Sequence, residues 1–173
     1  MSIVLNGATG ITAPDIDVTA QTTVATFDAG ITLGGSADVL DDYESGTFTP
    51  SIQGSTTAGS FTYNLRVGSY VKVGDLVNFE ISIYVTATTT AATGDLKITG
   101  LPFSKNNDNG FASASVGWTQ FITFADQIGA YLATTGSNIT LRNLTSGGSG
   151  ANIGGGDLGT SFYIFVSGSY KAA

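Results

Sequence analysis

Four carboxylates, Asp38, Asp41, Asp42 and Glu44, fall within seven positions of this chain, in the stretch ADVLDDYESGTFTP. Carboxylate oxygens are the ligands of a hard cation such as Ca²⁺. Two carboxylates held about 5–10 Å apart are the machinery of glycoside hydrolysis. The spacing here follows no D-x-[DN]-x-[DN]-G loop closed by a glutamate. Glu44 and Glu80, the two glutamates of the chain, carry no signature of an acid–base pair. The cluster therefore reads as a solvated acidic hinge, whose charge keeps that segment from pairing as a strand, with a calcium site as the alternative.

Other reactive chemistry is poorly supplied. The chain has no histidine, which removes the usual general base and the commonest metal ligand. It has no cysteine, so disulfides, zinc-thiolate sites and thiol nucleophiles are excluded. The glycine-rich SGGSGANIGGGDLG lacks the lysine of a phosphate-binding loop and runs into a β-prone segment instead of a helix N-terminus. It is read as a flexible loop between two strands. No catalytic group, cofactor or metal is expected, and the chain is read as non-enzymatic.

Two features suit recognition better than reaction. Trp118, with Phe121, Phe124 and Tyr131 nearby, has the side chains of a sugar-stacking platform. The preferred reading places these rings in a core, where aromatic side chains bury the most area. The polar stretch SKNNDNG, residues 104–110, carries Asn106, Asn107, Asp108 and Asn109 and is the best candidate for an exposed recognition loop.

The composition constrains partners. Only 11% of residues are charged against 42% hydrophobic, where soluble domains are about one quarter charged. Thr, Ser, Asn and Gly must therefore supply the surface, and such a surface packs against other chains with little charge to desolvate. The thirteen acids outnumber the six bases for a net charge of −7. Arg66, Lys72, Lys97, Lys105, Arg142 and Lys171 are scattered singly, so nucleic acid, which needs clustered cations, is an unsuitable partner. No apolar run reaches the roughly 18 residues of a membrane span, and MSIVLNGATGITAPDID lacks the basic and apolar regions of a signal peptide. A protein made in the cytoplasm and not exported by a cleavable signal is expected.

The elements divide into three parts. Residues 1–38 hold short apolar clusters separated by Gly, Ala and Thr, with Phe27 their one aromatic and no Lys or Arg. Each cluster is β-prone but too short to bury a core by itself. They read as an extended attachment arm that contacts a partner through Ile3, Leu5, Ile11, Ile16, Val18, Val24, Phe27, Ile31 and Leu33. Residues 39–47 form the acidic hinge. From 48 to 173 the chain is a string of strands, with Phe48 opening the first. DLVNFEISIYVTA alternates cleanly, placing Val77, Phe79, Ile81, Ile83 and Val85 on one face. Seven more candidates follow the same logic, separated by turn signals such as KVGD, ATGD and NNDNG. The fold class expected is all-β: an extended arm and then an antiparallel, jelly-roll-like β-sandwich head.

The last strand, SFYIFVSGSY, is apolar on both faces. A strand wetted on one side should alternate, so Tyr163 and Phe165 are read as subunit-interface residues opposite the core-facing Phe162, Ile164 and Val166. The alternative is a central strand covered on both sides within one chain.

Three segments, VLDDYESGTFTPSI, GSFTYNLRVGSYVKVGDLVNFEISIYV and GDLKITGLPF, resemble a module of tailed-bacteriophage virion proteins, of the trimeric tail-fibre-tip and capsid decoration type found in cyanophages. The arm is similar to the low-charge segments that precede that module in trimeric fibres. The resemblance implies a homotrimeric, non-enzymatic β-structure on the outside of a virion. The favoured role is a capsid decoration (cement) protein whose arms grip the major capsid protein. An arm of about 40 residues reaches at most roughly 140 Å when extended, which is short for a fibre shaft. The alternative is a tail-fibre tip that recognises a host surface glycan.

Overall fold

Threonine, serine, glycine and β-branched residues leave no helical period in the sequence, and the computed structural model is antiparallel β throughout. It describes residues 43–148 and 150–173, together with two short strands upstream. In chain order these strands are β1 (Ile31–Thr32), β2 (Val39–Leu40), β3 (Tyr43–Phe48), β4 (Ser51–Gly54), β5 (Ser60–Val73) and β6 (Leu76–Thr90). They continue with β7 (Leu96–Thr99), β8 (Ala112–Ile122), β9 (Gln127–Leu132), β10 (Ile139–Leu144) and β11 (Leu158–Lys171). A 3-10 turn, Gly155–Asp157, is the one helical element among the described residues.

β1 and β2 pair with each other, Ile31 opposite Leu40. Of the residues read as the arm's contacts, Ile31 lies in β1. Ile3, Leu5, Ile11, Ile16, Val18, Val24, Phe27 and Leu33 lie outside the described residues, as do Asp38, Asp41 and Asp42 of the acidic cluster.

The other nine strands form one ladder in the order β3-β5-β6-β11-β8-β9-β10-β7-β4. Laid flat, the edge strands β3 and β4 would stand about 38 Å apart, at about 4.8 Å per strand. Yet only Thr49 and Pro50 separate them in sequence, a connection of roughly 10 Å. The sheet must therefore curl until its two edges meet. Side chains knit the seam: the Ile52 amide donates to the Tyr63 hydroxyl at 3.2 Å and Arg66 donates to Ser51 Oγ at 3.2 Å. Buried Pro50 sits at the crossing, where no ladder hydrogen bond is asked of it.

The curl encloses one core. The alternation predicted for β6 holds residue by residue: Val77, Phe79, Ile81, Ile83 and Val85 are buried, while Asn78 and Glu80 are exposed. Phe162, Ile164 and Val166 of β11 join them from the neighbouring strand. Ile52, Leu96, Ile98, Ile139 and Leu141 from β4, β7 and β10 close over the top. Burying a Leu, Ile or Phe side chain contributes about 1.5–3 kcal/mol, so these positions carry the stability of the head.

Two expectations change at this level. Phe48 closes a strand instead of opening one, because β3 already starts at Tyr43 and pairs with β5 from Tyr43↔Val73 to Phe48↔Gly68. Part of the glycine-rich segment is built into the core. Ile153 is fully buried, its amide donates to the Leu141 carbonyl at 3.0 Å, and its carbonyl accepts from the Leu96 amide at 2.7 Å. One isoleucine among small residues is enough to anchor the segment, and the glycines beside it permit close approach: a Cβ on Gly155 would stand 2.1 Å from the Ala92 carbonyl oxygen.

Candidate functional site

The last acid of the opening cluster has a structural partner. Glu44 accepts a short hydrogen bond from the Tyr70 hydroxyl, tying β3 to β5. This bond, with burial and the carboxylate's charge, holds the Tyr70 phenol above its ordinary range. The Tyr70 ring meets Phe103 edge-on at 5.4 Å. Among the described residues no group of three or more acids is arranged to hold a metal ion.

The loop read as a recognition surface, residues 104–110, is pinned at its base. Lys105 is 4% exposed, and its ammonium donates to the Asn106 carbonyl and to the Asp108 carboxylate. Asp108 Oδ1 also accepts from the Gly110 amide at 3.0 Å, closing an Asx-type turn. The lysine's hydrogen bond, then the Gly110 amide, holds the Asp108 carboxyl below the usual carboxylate range. Asn109 takes a left-handed conformation, φ 59°, which asparagine tolerates. The Lys105 amide donates to the Gly136 carbonyl, the Asn106 amide to the Lys171 carbonyl, and the Ala173 amide to the Ser104 carbonyl. Asn107 and Asn109 are left exposed at the tip, and Asn106 is half-buried. Phe111 follows, 69% exposed and 5.7 Å from the Tyr131 ring.

The second surface is the outward face of the β3-β5-β6-β11-β8 layer. Tyr163 and Phe165, read as interface residues, do point away from the core there, and they do not stand alone. One row across the sheet is Leu65, Tyr84, Tyr163 and Gln120, and the next is Val67, Ser82, Phe165 and Trp118. Tyr84 and Tyr163 stack at 4.0 Å and 9°, and Trp118 lies 5.5 Å from Tyr163 and 5.2 Å from Phe165. Tyr84 raises the Tyr163 phenol above its ordinary range, chiefly by hydrogen bonding. Ten large apolar side chains are exposed among the described residues. Seven of them, Tyr43, Leu65, Val67, Val71, Val73, Leu76 and Trp118, belong to this one face.

Between its apolar ends the face sinks into a trough of about 570 Å³ lined by Asn78, Glu80 and the serines at 69, 113, 115, 167 and 169. A serine becomes a nucleophile when an adjacent base takes its proton. Glu80 is the one carboxylate among the lining residues.

The aromatic quartet divides. Trp118 is 47% exposed and Phe121 is 61% exposed with φ 61°, against the core reading. Phe124 packs against the core and Tyr131 is half-buried. The bulge at Gly117, between the Phe165↔Trp118 and Val166↔Val116 pairs, re-aims the strand and turns Trp118 outward. The apolar residues of β5 were the signal not used. NLRVGSYVKV carries Leu65, Val67, Val71 and Val73 at even spacing opposite Gly68 and Tyr70, the same two-faced pattern noticed in β11.

No family model matches the chain, and no curated protein matches it. Among solved structures it is similar to the Dettilon tailspike protein (gp208), with a TM-score of 0.62 at 16% identity over 76% of this chain. The chain covers 24% of that tailspike. At this identity the likeness is one of fold, shared with part of a much longer tailspike chain.

Proposed function

We propose that this chain is a structural protein of a tailed-phage virion, non-enzymatic, with its head on the tail side as a receptor-binding module for a host surface glycan. The observation that carries this reading is the fold shared with part of a tailspike. The rigidly based loop supports it. Asn107 and Asn109 offer paired amide donors and acceptors, and exposed Phe111 beside Tyr131 offers a ring face for a sugar's C–H side. The pinning by Lys105 and Asp108 would lower the ordering cost of binding.

The second reading is the capsid decoration protein. It is favoured by the uncharged, β-prone clusters of residues 1–38, suited to adding strands to sheet edges on a capsid protein. Closed threefold symmetry and three arms per assembly would give such a clamp multivalent strength.

Cryo-electron microscopy of purified virions tests both. Density for the head at the tail is the expected result. Density at capsid threefold positions overturns the tail assignment in favour of decoration, and absence from the virion overturns both.

A further inference from the structure

The outward face of the β3-β5-β6-β11-β8 layer has a composition that a solvent-facing sheet does not need. An antiparallel sheet with one wet face places polar residues there, and large contiguous apolar patches on soluble proteins mark contact surfaces. Here the apolar side chains are concentrated at both ends of one sheet face, with small hydroxyls between them.

We infer that this face packs against other copies of the same chain. Its size fits: five strands at about 4.8 Å by ten residues at about 3.3 Å give roughly 800 Å², the share each partner contributes to a standard stable interface. Its charge fits a second copy specifically. The chain carries −7, so two copies repel over most of their surfaces. Among the strand positions that alternate onto this face the carboxylate and the ammonium are Glu80 and Lys171, which sum to zero, while Glu44, Arg66 and Lys72 alternate onto the other face. Both are exposed, and they lie at different heights on the neighbouring strands β6 and β11. A copy laid across the face can set each against the opposite charge of its partner, the reciprocal pairing that a symmetric interface uses. The Tyr84–Tyr163 stack and Trp118 supply the flat aromatic anchors in which interface energy concentrates. The inference goes beyond the virion assignment, describes a contact between two copies, and does not depend on the head's position on the virion.

Trp118 is the single tryptophan of the chain, and it stands on this face, so the protein carries its own reporter. Light scattering and tryptophan emission are measured on the full-length chain across a dilution series. The expected result is a mass that is a multiple of 17.6 kDa at high concentration, with emission shifting to the red as the assembly dissociates. Val67→Asp places a charge in the row that contains Trp118, three strands away, at an exposed position the core does not use. It is expected to weaken association at least about tenfold, which is about 1.4 kcal/mol, and to return a folded monomer by circular dichroism. Phe121→Asp, an exposed apolar position outside the face, is expected to leave the mass unchanged. A multimeric wild type whose Trp118 emission does not change on dissociation overturns the inference while leaving self-association intact. So does a folded Val67→Asp that keeps the wild-type mass. A monomeric wild type overturns the face and self-association together, and the position on the virion is then still decided by microscopy.

Discussion

Lys105 is among the few basic residues of the chain, and it is almost completely buried. A buried ammonium needs a fixed partner, and Asp108 is that partner. Its depressed carboxyl pKa sets a sign. The folded value lies below the unfolded one of about 3.9, so the contribution is fully present above pH 4. It is lost as the pH falls through the folded value. Loop order, followed by the amide resonances of 105–110, is therefore expected to be constant from pH 7 to pH 5 and to fall away only in stronger acid. Asp108→Asn is expected to lower the melting temperature at neutral pH and to flatten this acid dependence. An unchanged acid profile in that variant would assign the loss to other carboxylates. The asparagine- and aspartate-rich loop was legible in the sequence from its polarity. Its anchor was not, because a single lysine in a polar run reads as solvated until Gly136, Lys171 and Ala173 are seen to converge on its neighbours.

At the scale of elements, all eight strand segments expected from residue 48 onward have a counterpart, the first of them starting at Ser51, since strict alternation in β6 and turn residues between the others are strong local signals. What the sequence understated was non-local. β3 looked like hinge because its acids suggested solvent, yet Glu44 bonds Tyr70 and Phe48 packs over Gly68. A Cβ at Gly68 would stand 2.4 Å from the Phe48 ring. Gly68→Ala is therefore expected to cost about 1–3 kcal/mol by overpacking, read as a lower urea midpoint with an unchanged slope. The glycine-rich segment was taken for a flexible loop because flexibility is what glycines report locally, while the place of Ile153 is fixed by its bonds to Leu141 of β10 and Leu96 of β7. Ile153→Ala is expected to cost about 2–5 kcal/mol, as for a core isoleucine. A change under about 0.5 kcal/mol, the range of surface substitutions, would mean the segment contributes nothing to the core.

At the scale of the whole molecule the exposed apolar surface is unevenly placed. An 11% charged chain suits packing against other chains, and among the described residues one face of the curled sheet gathers seven of the ten exposed large apolar side chains. That Tyr163 and Phe165 face away from the core was legible from β11 alone. Leu65, Val67, Tyr84 and Trp118 were not, because their common face appears only once the ladder order places β5, β6, β11 and β8 side by side. The curl was equally invisible: nothing local says that β3 and β4, adjacent in sequence, form opposite edges of one sheet.

That ladder order also fixes a timetable for synthesis. β11 is made after the other ten described strands, and it lies between β6 and β8 near the middle of the sheet. Until it arrives, β6 and β8 each present an unpaired edge and the core lacks Phe162, Ile164 and Val166. The nascent head cannot close in stages from its N-terminal end. It must wait, with open strand edges and apolar side chains uncovered, for β11 to insert. Distant pairings of this kind make folding slow, and open edges of this kind recruit neighbouring chains. A cell filling with many copies at once would therefore meet the greatest hazard of misassembly in the interval before β11 is in place.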